Sequence, residues 1–166
     1  LALSYDEEIG CLGVDRMIEG IAAAGIEPQI VIVGEPTGMR VANAHKGIYS
    51  FRTLVTGHEA HSSATNIGVN AVMTAARLVA FLGDLAEEMK GRAKPESGFE
   101  PPYTSVHVGT IDGGTALNII PRECRFQWEF RLFPGADEDE ILNRFNEYAE
   151  SLEPAITERP DIALLR

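Results

Sequence analysis

The sequence contains few cysteines and little positive charge, and each shortage excludes a class of protein. Its 2 cysteines, Cys11 and Cys124, form no C-x-x-C pair, so neither a zinc knuckle nor a disulfide framework is predicted. The 14 Lys and Arg residues against 25 Asp and Glu residues leave a net charge of −11, which argues against nucleic acid as a partner because no basic patch neutralises phosphates. No apolar run approaches the roughly 20 residues that span a bilayer, and no signal peptide is visible. We therefore expect a soluble, cytoplasmic protein that does not bind a membrane.

The length and the remaining composition are those of a folded globular chain. Hydrophobic residues make up 45% and charged residues 23% of the 166 positions, which are ordinary values for a globular domain. This length suits one domain, or one domain with part of another. Because the chain opens with Leu1 inside an apolar run, we expect it to be cut from a longer protein.

The first part of the chain, residues 1–45, has the pattern of a β-α-β unit. Two short apolar runs, residues 1–3 and 30–33, are typical of fully buried strands in a parallel sheet. Between them, apolar residues recur at helical spacing over residues 14–22. Each apolar run leads into an acidic cluster, and parallel strands end at the same edge of their sheet. The acidic clusters are therefore expected to meet at one edge.

Three carboxylates carry this expectation: Glu7 and Glu8 after the first run, and Glu35 after the second. Carboxylates that converge repel one another unless a cation or a proton is present, and carboxylate oxygens suit Zn²⁺. A carboxylate beside a metal-bound water is also a good general base. From the residue types alone, a solvated acidic turn at a helix entrance stays open as the alternative.

The second part, residues 46–166, has the pattern of an α+β domain. Alternation predicts strands over residues 49–55, 104–111 and 123–133, and helical periodicity predicts helices over residues 70–88 and from Asp137 onward. Residues 162–165 form either a final strand or a linker. The order β-α-β-β-α-β predicts an antiparallel sheet covered on one face by two helices. Its other face carries arginine and glutamine, so that face is either solvated or holds a ligand.

Three polar side chains of this second part are candidate site residues. His61, in a loop after the first strand, could donate a hydrogen bond to a developing oxyanion, or it could be an ordinary exposed histidine. Asn118 follows a glycine pair that is not a phosphate-binding loop, and its amide can both donate and accept hydrogen bonds. Arg131 could clamp a substrate carboxylate, or it could be a surface arginine.

Six short stretches of the chain have the composition of functional motifs. In chain order, they are SYDEE at 4–8, VGEPT at 33–37, AHKG at 44–47, GHEAHSS at 57–63 with GVNA at 68–71, GGTALNIIP at 113–121, and FRLFPG at 130–135. Taken together, these stretches resemble the M20 family of metallopeptidases and amidohydrolases. The region from Pro102 to Gly135, with residues 45–47, is most similar to the members that deacetylate N-acetylornithine.

The resemblance implies an amide hydrolase that uses two Zn²⁺ or Co²⁺ ions and acts on a small N-acyl amino acid, N-acetylornithine first, in arginine biosynthesis. Residues 1–45 would be part of the metal-dependent catalytic domain, and residues 46–166 would be the lid, which also forms the homodimer. The resemblance also assigns a role to each candidate residue. Glu7 would be the general base, Glu8 and Glu35 would each bind one metal, His61 would reach the partner's active site to stabilise the oxyanion, and Asn118 and Arg131 would hold the substrate.

The chain departs from the family because it lacks the histidines and the aspartate that complete the metal site. Glu8 and Glu35 alone would give each metal one protein ligand, whereas a stable zinc site needs three or four. We therefore expect the chain as given to be inactive and to bind zinc weakly or not at all. We also expect its first forty or so residues to pack poorly or to pair with another chain. The alternatives are another M20 hydrolase, such as succinyl-diaminopimelate desuccinylase or a carboxypeptidase, and a non-catalytic ferredoxin-like binding or dimerisation module.

Overall fold

The computed structural model describes residues 1–7 and 10–152, together with the backbone of residues 163–165. The chain divides into two compact units, Leu1–Asn43 and Ala44–Leu165. No helix among the described residues is both long and apolar enough to span a membrane.

The first unit contains one regular element among its described residues, the helix α1 (Val14–Ala23), which confirms the predicted helix. The two strands predicted at residues 1–3 and 30–33 are wrong, because both runs are irregular and exposed; Ile32, for example, is 90% exposed. A strand of a parallel sheet needs neighbouring strands and an apolar layer on each face, and the described residues of this unit provide neither. Gly13 is the only buried residue among them, so the expectation of poor packing is confirmed.

The second unit contains the predicted sheet. Four antiparallel strands form this sheet: β1 (Gly47–Thr56), β3 (Ser105–Gly113), β5 (Glu123–Leu132) and β6 (Ala163–Leu165), in the order β3-β5-β1-β6. With the helices α2 (Ala71–Gly91) and α3 (Glu140–Ser151) they give the expected β-α-β-β-α-β arrangement. The predicted α+β fold class is therefore confirmed, and residues 163–165 are a strand rather than a linker. The elements are β1 (Gly47–Thr56), β2 (Ala60–His61), α2 (Ala71–Gly91), a 3-10 helix (Pro95–Ser97), β3 (Ser105–Gly113), β4 (Ile119–Ile120), β5 (Glu123–Leu132), α3 (Glu140–Ser151) and β6 (Ala163–Leu165).

The core lies between one face of this sheet and the two helices. Strand β5 alternates strictly, so every second side chain points into the core, and Trp128, at its centre, is 2% exposed. The Trp128 indole stacks on Phe51 of β1 with 4.3 Å between ring centroids, and its Nε1–H donates to Thr53 Oγ1 at 3.1 Å. The buried side chains that the helices supply are Leu78, Leu82 and Leu85 from α2, and Ile141 and Phe145 from α3.

Local signals fix where the helices begin. Helix α2 begins after Asn70, whose side-chain oxygen accepts a hydrogen bond from Met73 N at 2.9 Å and so caps the helix. Helix α3 begins at Glu140 rather than at Asp137 as predicted. The Asp137 carboxylate instead accepts a hydrogen bond from Asp139 N at 3.0 Å in the preceding turn.

Candidate functional site

The structure brings two of the predicted site residues together on a small ribbon. Strands β2 and β4 pair antiparallel, with Ala60 opposite Ile120 and His61 opposite Ile119. The pairing continues where Ser62 N donates to the carbonyl of Asn118 at 2.9 Å. His61 and Asn118, which are far apart in sequence, therefore occupy neighbouring backbone positions on the paired segments.

Backbone contacts that only glycine permits hold this ribbon against the end of the sheet. Gly57 N donates to Arg122 O at 2.6 Å, and His58 N donates to Val69 O at 2.9 Å. A Cβ added at Gly57 would collide with the Val69 carbonyl oxygen, so the chain passes too close for any other residue. The His61 loop is thus tied to fixed backbone on both sides.

Ser63 determines how the His61 ring carries its proton. Ser63 N lies 3.3 Å from His61 Nδ1, and the Ser63 hydroxyl oxygen lies 2.8 Å from the same nitrogen. Because a backbone N–H can only donate, Nδ1 is the acceptor, and the proton of the neutral ring is on Nε2. No acceptor among the described residues engages Nε2, and the side chain is exposed. An imidazole held in this way presents one free N–H donor, which is the group that stabilises a developing oxyanion.

Arg131 lies at the other end of the sheet from this ribbon. It is the penultimate residue of β5, opposite Ile48 of β1 and Ser105 of β3. Strand β4 directly precedes the start of β5, and the eight steps from Glu123 to Arg131 span about 27 Å at 3.4 Å per residue. A single chain therefore does not bring Arg131 to His61.

The acidic residues that the structure describes in the first unit do not form a metal centre. Glu7 and Glu35 are exposed, and their described contacts are made by backbone carbonyls that accept turn hydrogen bonds. Glu8 lies outside the described residues. No group of three or more His, Cys, Asp or Glu side chains that could hold a metal ion occurs among the described residues. Because the strands that were to direct these carboxylates to one edge are absent, the residues described do not fit the implied metal pair.

An open cavity of about 410 Å³ lies between the loop before the ribbon and the ends of β3 and β5. Its polar lining includes Glu59, Asp112, Arg122, Glu123 and Arg125. Hydrogen bonds from Arg122 and then from Arg125 lower the pKa of the Glu123 carboxyl below its usual value. The two guanidinium groups are therefore already paired with a carboxylate inside this cavity.

Sequence reasoning missed two residues that touch the predicted ones. Ser63 contacts the His61 ring, and it stands in the same motif two positions later. Glu129 accepts hydrogen bonds from Arg131, and strand alternation places both on the same face of β5. The alternation that identified the strand was the signal that could have found the second pair.

Comparison with known proteins identifies the family. Residues 43–157 match the model of the M20 peptidase dimerisation domain. The chain is 37% identical over 142 residues to an acetylornithine deacetylase from Myxococcus xanthus, covering 85% of this chain and 36% of that protein. It is 34% identical over 141 residues to the acetylornithine deacetylase of Erwinia tasmaniensis, covering 83% of this chain and 36% of that protein. The chain thus spans about a third of the length of the curated relatives it matches.

Solved structures show the same fold at low identity. A hydantoinase/carbamoylase family amidase from Burkholderia ambifaria matches with a TM-score of 0.57 and 16% identity, over 74% of this chain and 28% of that one. The aminobenzoyl-glutamate utilization protein from Klebsiella pneumoniae matches with a TM-score of 0.52 and 20% identity, over 72% of this chain and 28% of that one. These likenesses establish the fold alone. The family match covers most of the chain and the curated relatives agree with it, so this protein belongs to the M20 peptidase dimerisation domain family.

Proposed function

We propose that the chain is the lid and dimerisation part of a metal-dependent amidohydrolase that removes the acyl group from an N-acyl amino acid. The relatives named acetylornithine deacetylase favour N-acetylornithine as the substrate, with ornithine and acetate as the products, in arginine biosynthesis. The activity belongs to the whole protein, of which the chain corresponds to about a third. We expect that protein to be cytoplasmic and to act without nucleic acid or a membrane.

The observation that carries this proposal is the free Nε2–H of His61, on a ribbon whose other segment continues directly from Asn118. Hydrolysis of an amide passes through a tetrahedral state in which negative charge develops on the former carbonyl oxygen. A fixed N–H donor aimed at that oxygen stabilises the transition state more than the ground state. Asn118 adds an amide that holds the substrate next to the same donor, and Arg131 binds the α-carboxylate through two parallel N–H bonds.

The position of Arg131 supports a site that is shared between two chains. Because about 27 Å of strand separates Arg131 from the ribbon, we infer that one chain supplies His61 and Asn118 while its partner supplies Arg131. Strand β3 pairs with β5 on one side, and no strand among the described residues pairs with its other edge. Ile111 of β3 is an exposed apolar side chain, as are Met73 of α2 and Leu117 of the loop after β3, and such side chains suit a contact with a second copy.

The catalytic part of the proposal concerns residues 1–45, with residues 46–166 as the lid. In the whole protein Glu7 would accept the proton of the attacking water, and Glu8 and Glu35 would each bind one ion of a Zn²⁺ or Co²⁺ pair. The described residues do not hold such a pair by themselves. We therefore propose that the remaining ligands come from segments of the whole protein outside this chain, and that the chain alone is inactive.

The experiment is a steady-state assay of the whole protein with N-acetylornithine, N-succinyl-diaminopimelate and a dipeptide as substrates. Hydrolysis of the acetyl substrate at the highest kcat/KM supports the proposal, and preference for either other substrate contradicts the acetyl assignment. His61→Ala is expected to lower kcat by roughly 10²–10³-fold, the usual effect of removing one oxyanion donor.

His58→Ala is the matched control, since this histidine is in the same loop and its described hydrogen bonds use only its backbone. The control is expected to keep the wild-type kcat. A His61→Ala enzyme with the wild-type kcat would show that the oxyanion role is wrong.

A further inference from the structure

The Arg131 guanidinium has two hydrogen-bonding edges, and the described residues form hydrogen bonds with only one of them. Glu129 accepts from Nε at 3.0 Å through Oε1 and from the nearer Nη2 at 3.5 Å through Oε2. This side-on arrangement uses the edge formed by Nε and one terminal nitrogen. The other edge, between the two terminal nitrogens, accommodates a second carboxylate, because the planar group has five N–H donors in a fixed fork.

The surroundings of the pair leave that second edge accessible. Arg131 and Glu129 side chains are 46% and 32% exposed, on the face of the sheet that the helices do not cover. Glu129 lies opposite Ser50 on one side and His107 on the other. Because nearly half of the Arg131 side chain is exposed, a ligand can reach its second edge.

We propose that Glu129 is a positioning residue that holds the Arg131 guanidinium in the orientation in which its free edge receives the substrate α-carboxylate. This inference rests on the role proposed above for Arg131. Without the anchor, the long side chain samples many rotamers, and ordering it on binding opposes the interaction. With the anchor, the plane of the fork is already set before the substrate arrives.

A competing arrangement predicts the opposite effect of removing the Glu129 carboxylate on substrate binding. If Glu129 occupied the edge that the substrate needs, removing its carboxylate would strengthen binding. Removing the Glu129 carboxylate would also strengthen binding if its repulsion of the substrate carboxylate outweighed the anchoring of Arg131. The side-on geometry favours the anchor, because one guanidinium can donate to two carboxylates on different edges and its charge lies between them.

The test measures KM and kcat of the whole protein for an N-acetyl amino acid and for its α-carboxamide, which lacks the charge that Arg131 recognises. Glu129→Ala is expected to raise KM for the acid about 5-fold, which corresponds to the upper range for an exposed ion pair. Both kcat and the KM for the amide are expected to stay unchanged. Glu129→Gln keeps an oxygen acceptor for Nε–H and is expected to fall between wild type and Glu129→Ala.

Glu87→Ala is the matched control, because Glu87 is also an exposed acid paired with a cation, Lys90 at 2.5 Å, but lies on α2 in the helix layer. Glu87→Ala is expected to change neither KM nor kcat. A fall in KM for the acid in both Glu129 variants, or an equal rise for acid and amide, would overturn the proposal.

A second readout separates this inference from the proposed function. The Nε–H proton of Arg131 is expected to give a slowly exchanging NMR signal in wild type that exchanges at least several-fold faster in Glu129→Ala. Loss of this protection supports the anchor even if another substrate class replaces N-acyl amino acids. Unchanged exchange would refute the anchor, whatever the enzyme hydrolyses. If the wild-type protein shows the protected signal but has the same KM for the acid and the amide, the anchor stands and the proposed binding of the α-carboxylate by Arg131 is wrong.

Discussion

Two inactive variants of the whole protein should restore activity when they are mixed, if each active site draws on two chains. The variants are His61→Ala and Arg131→Ala. His61 lies on the β2–β4 ribbon, and β4 directly precedes β5, whereas Arg131 lies near the far end of β5, about 27 Å along the strand from its start. A small N-acyl amino acid cannot bridge that distance within one chain. Each variant alone is expected to be nearly inactive, because every site in its homodimer lacks one group.

The recovery can be calculated from the symmetry of a two-fold dimer. Random exchange of equal amounts makes half of the dimers mixed, and each mixed dimer has one site with both groups intact and one site with neither. The mixture should therefore show roughly a quarter of the wild-type activity. If both groups served a site in the same chain, every site of a mixed dimer would lack one of them and no activity would return.

The assay is the initial rate of ornithine release after the two variants are unfolded and refolded together, with wild type treated in the same way as the reference. The control mixture combines His61→Ala with Asn118→Ala. Since the β2–β4 ribbon presents both residues from one chain, no site in this mixed dimer receives an intact pair, and no recovery is expected. Failure of the first mixture to recover, or recovery in the control, would refute the shared site.

Three further predictions concern stability and metal binding. The Glu88 carboxyl has its pKa lowered from 4.5 to about 2, chiefly by hydrogen bonds from Arg144 of α3. It therefore contributes stability that is complete above pH 4.5 and lost as the pH falls towards 2. Denaturant titrations from pH 6 to pH 2 should show a smaller loss in Glu88→Gln, and a parallel profile would contradict this. Gly113→Ala should destabilise the fold by about 1–3 kcal/mol, because its Cβ would lie 2.8 Å from Cys124 atoms. Gly83→Ala in α2, which has open space around it, should instead stabilise the fold by up to about 1 kcal/mol. If both variants changed the free energy of unfolding in the same direction, the packing argument would be refuted. Calorimetric titration of the chain with Zn²⁺ should show no submicromolar site, and finding one would contradict the ligand count.

The fold of the second unit could be predicted because the two faces of its sheet differ in composition. In β5, apolar and polar side chains alternate without exception, and the buried set includes Phe126, Trp128 and Phe130. A pattern of period two with one buried face determines both the strand and which way each residue points. The acidic cluster before α3 was less informative. Asp137 caps a turn instead of starting the helix. A carboxylate at this position suits a turn as well as a helix start, so the sequence did not distinguish the two.

The geometry of the candidate site could not be predicted in the same way. That His61 lies beside Asn118 depends on the pairing of two very short strands, and two residues contain no periodicity to read. The tautomer of His61 depends on Ser63 N, a backbone donor whose direction only the folded turn defines. Side-chain chemistry suggested these residues, but tertiary contacts decide what they can do.

The first unit shows where an apolar run misleads. Residues 30–33 are four β-branched residues with strong strand propensity, yet each is at least 72% exposed. A run of this kind predicts burial only if other strands pair with its backbone and other side chains cover it, and the described residues of the unit supply neither. Full burial of each such side chain is worth about 1.5–3 kcal/mol relative to exposure. The run therefore has the composition of a strand without the contacts of one.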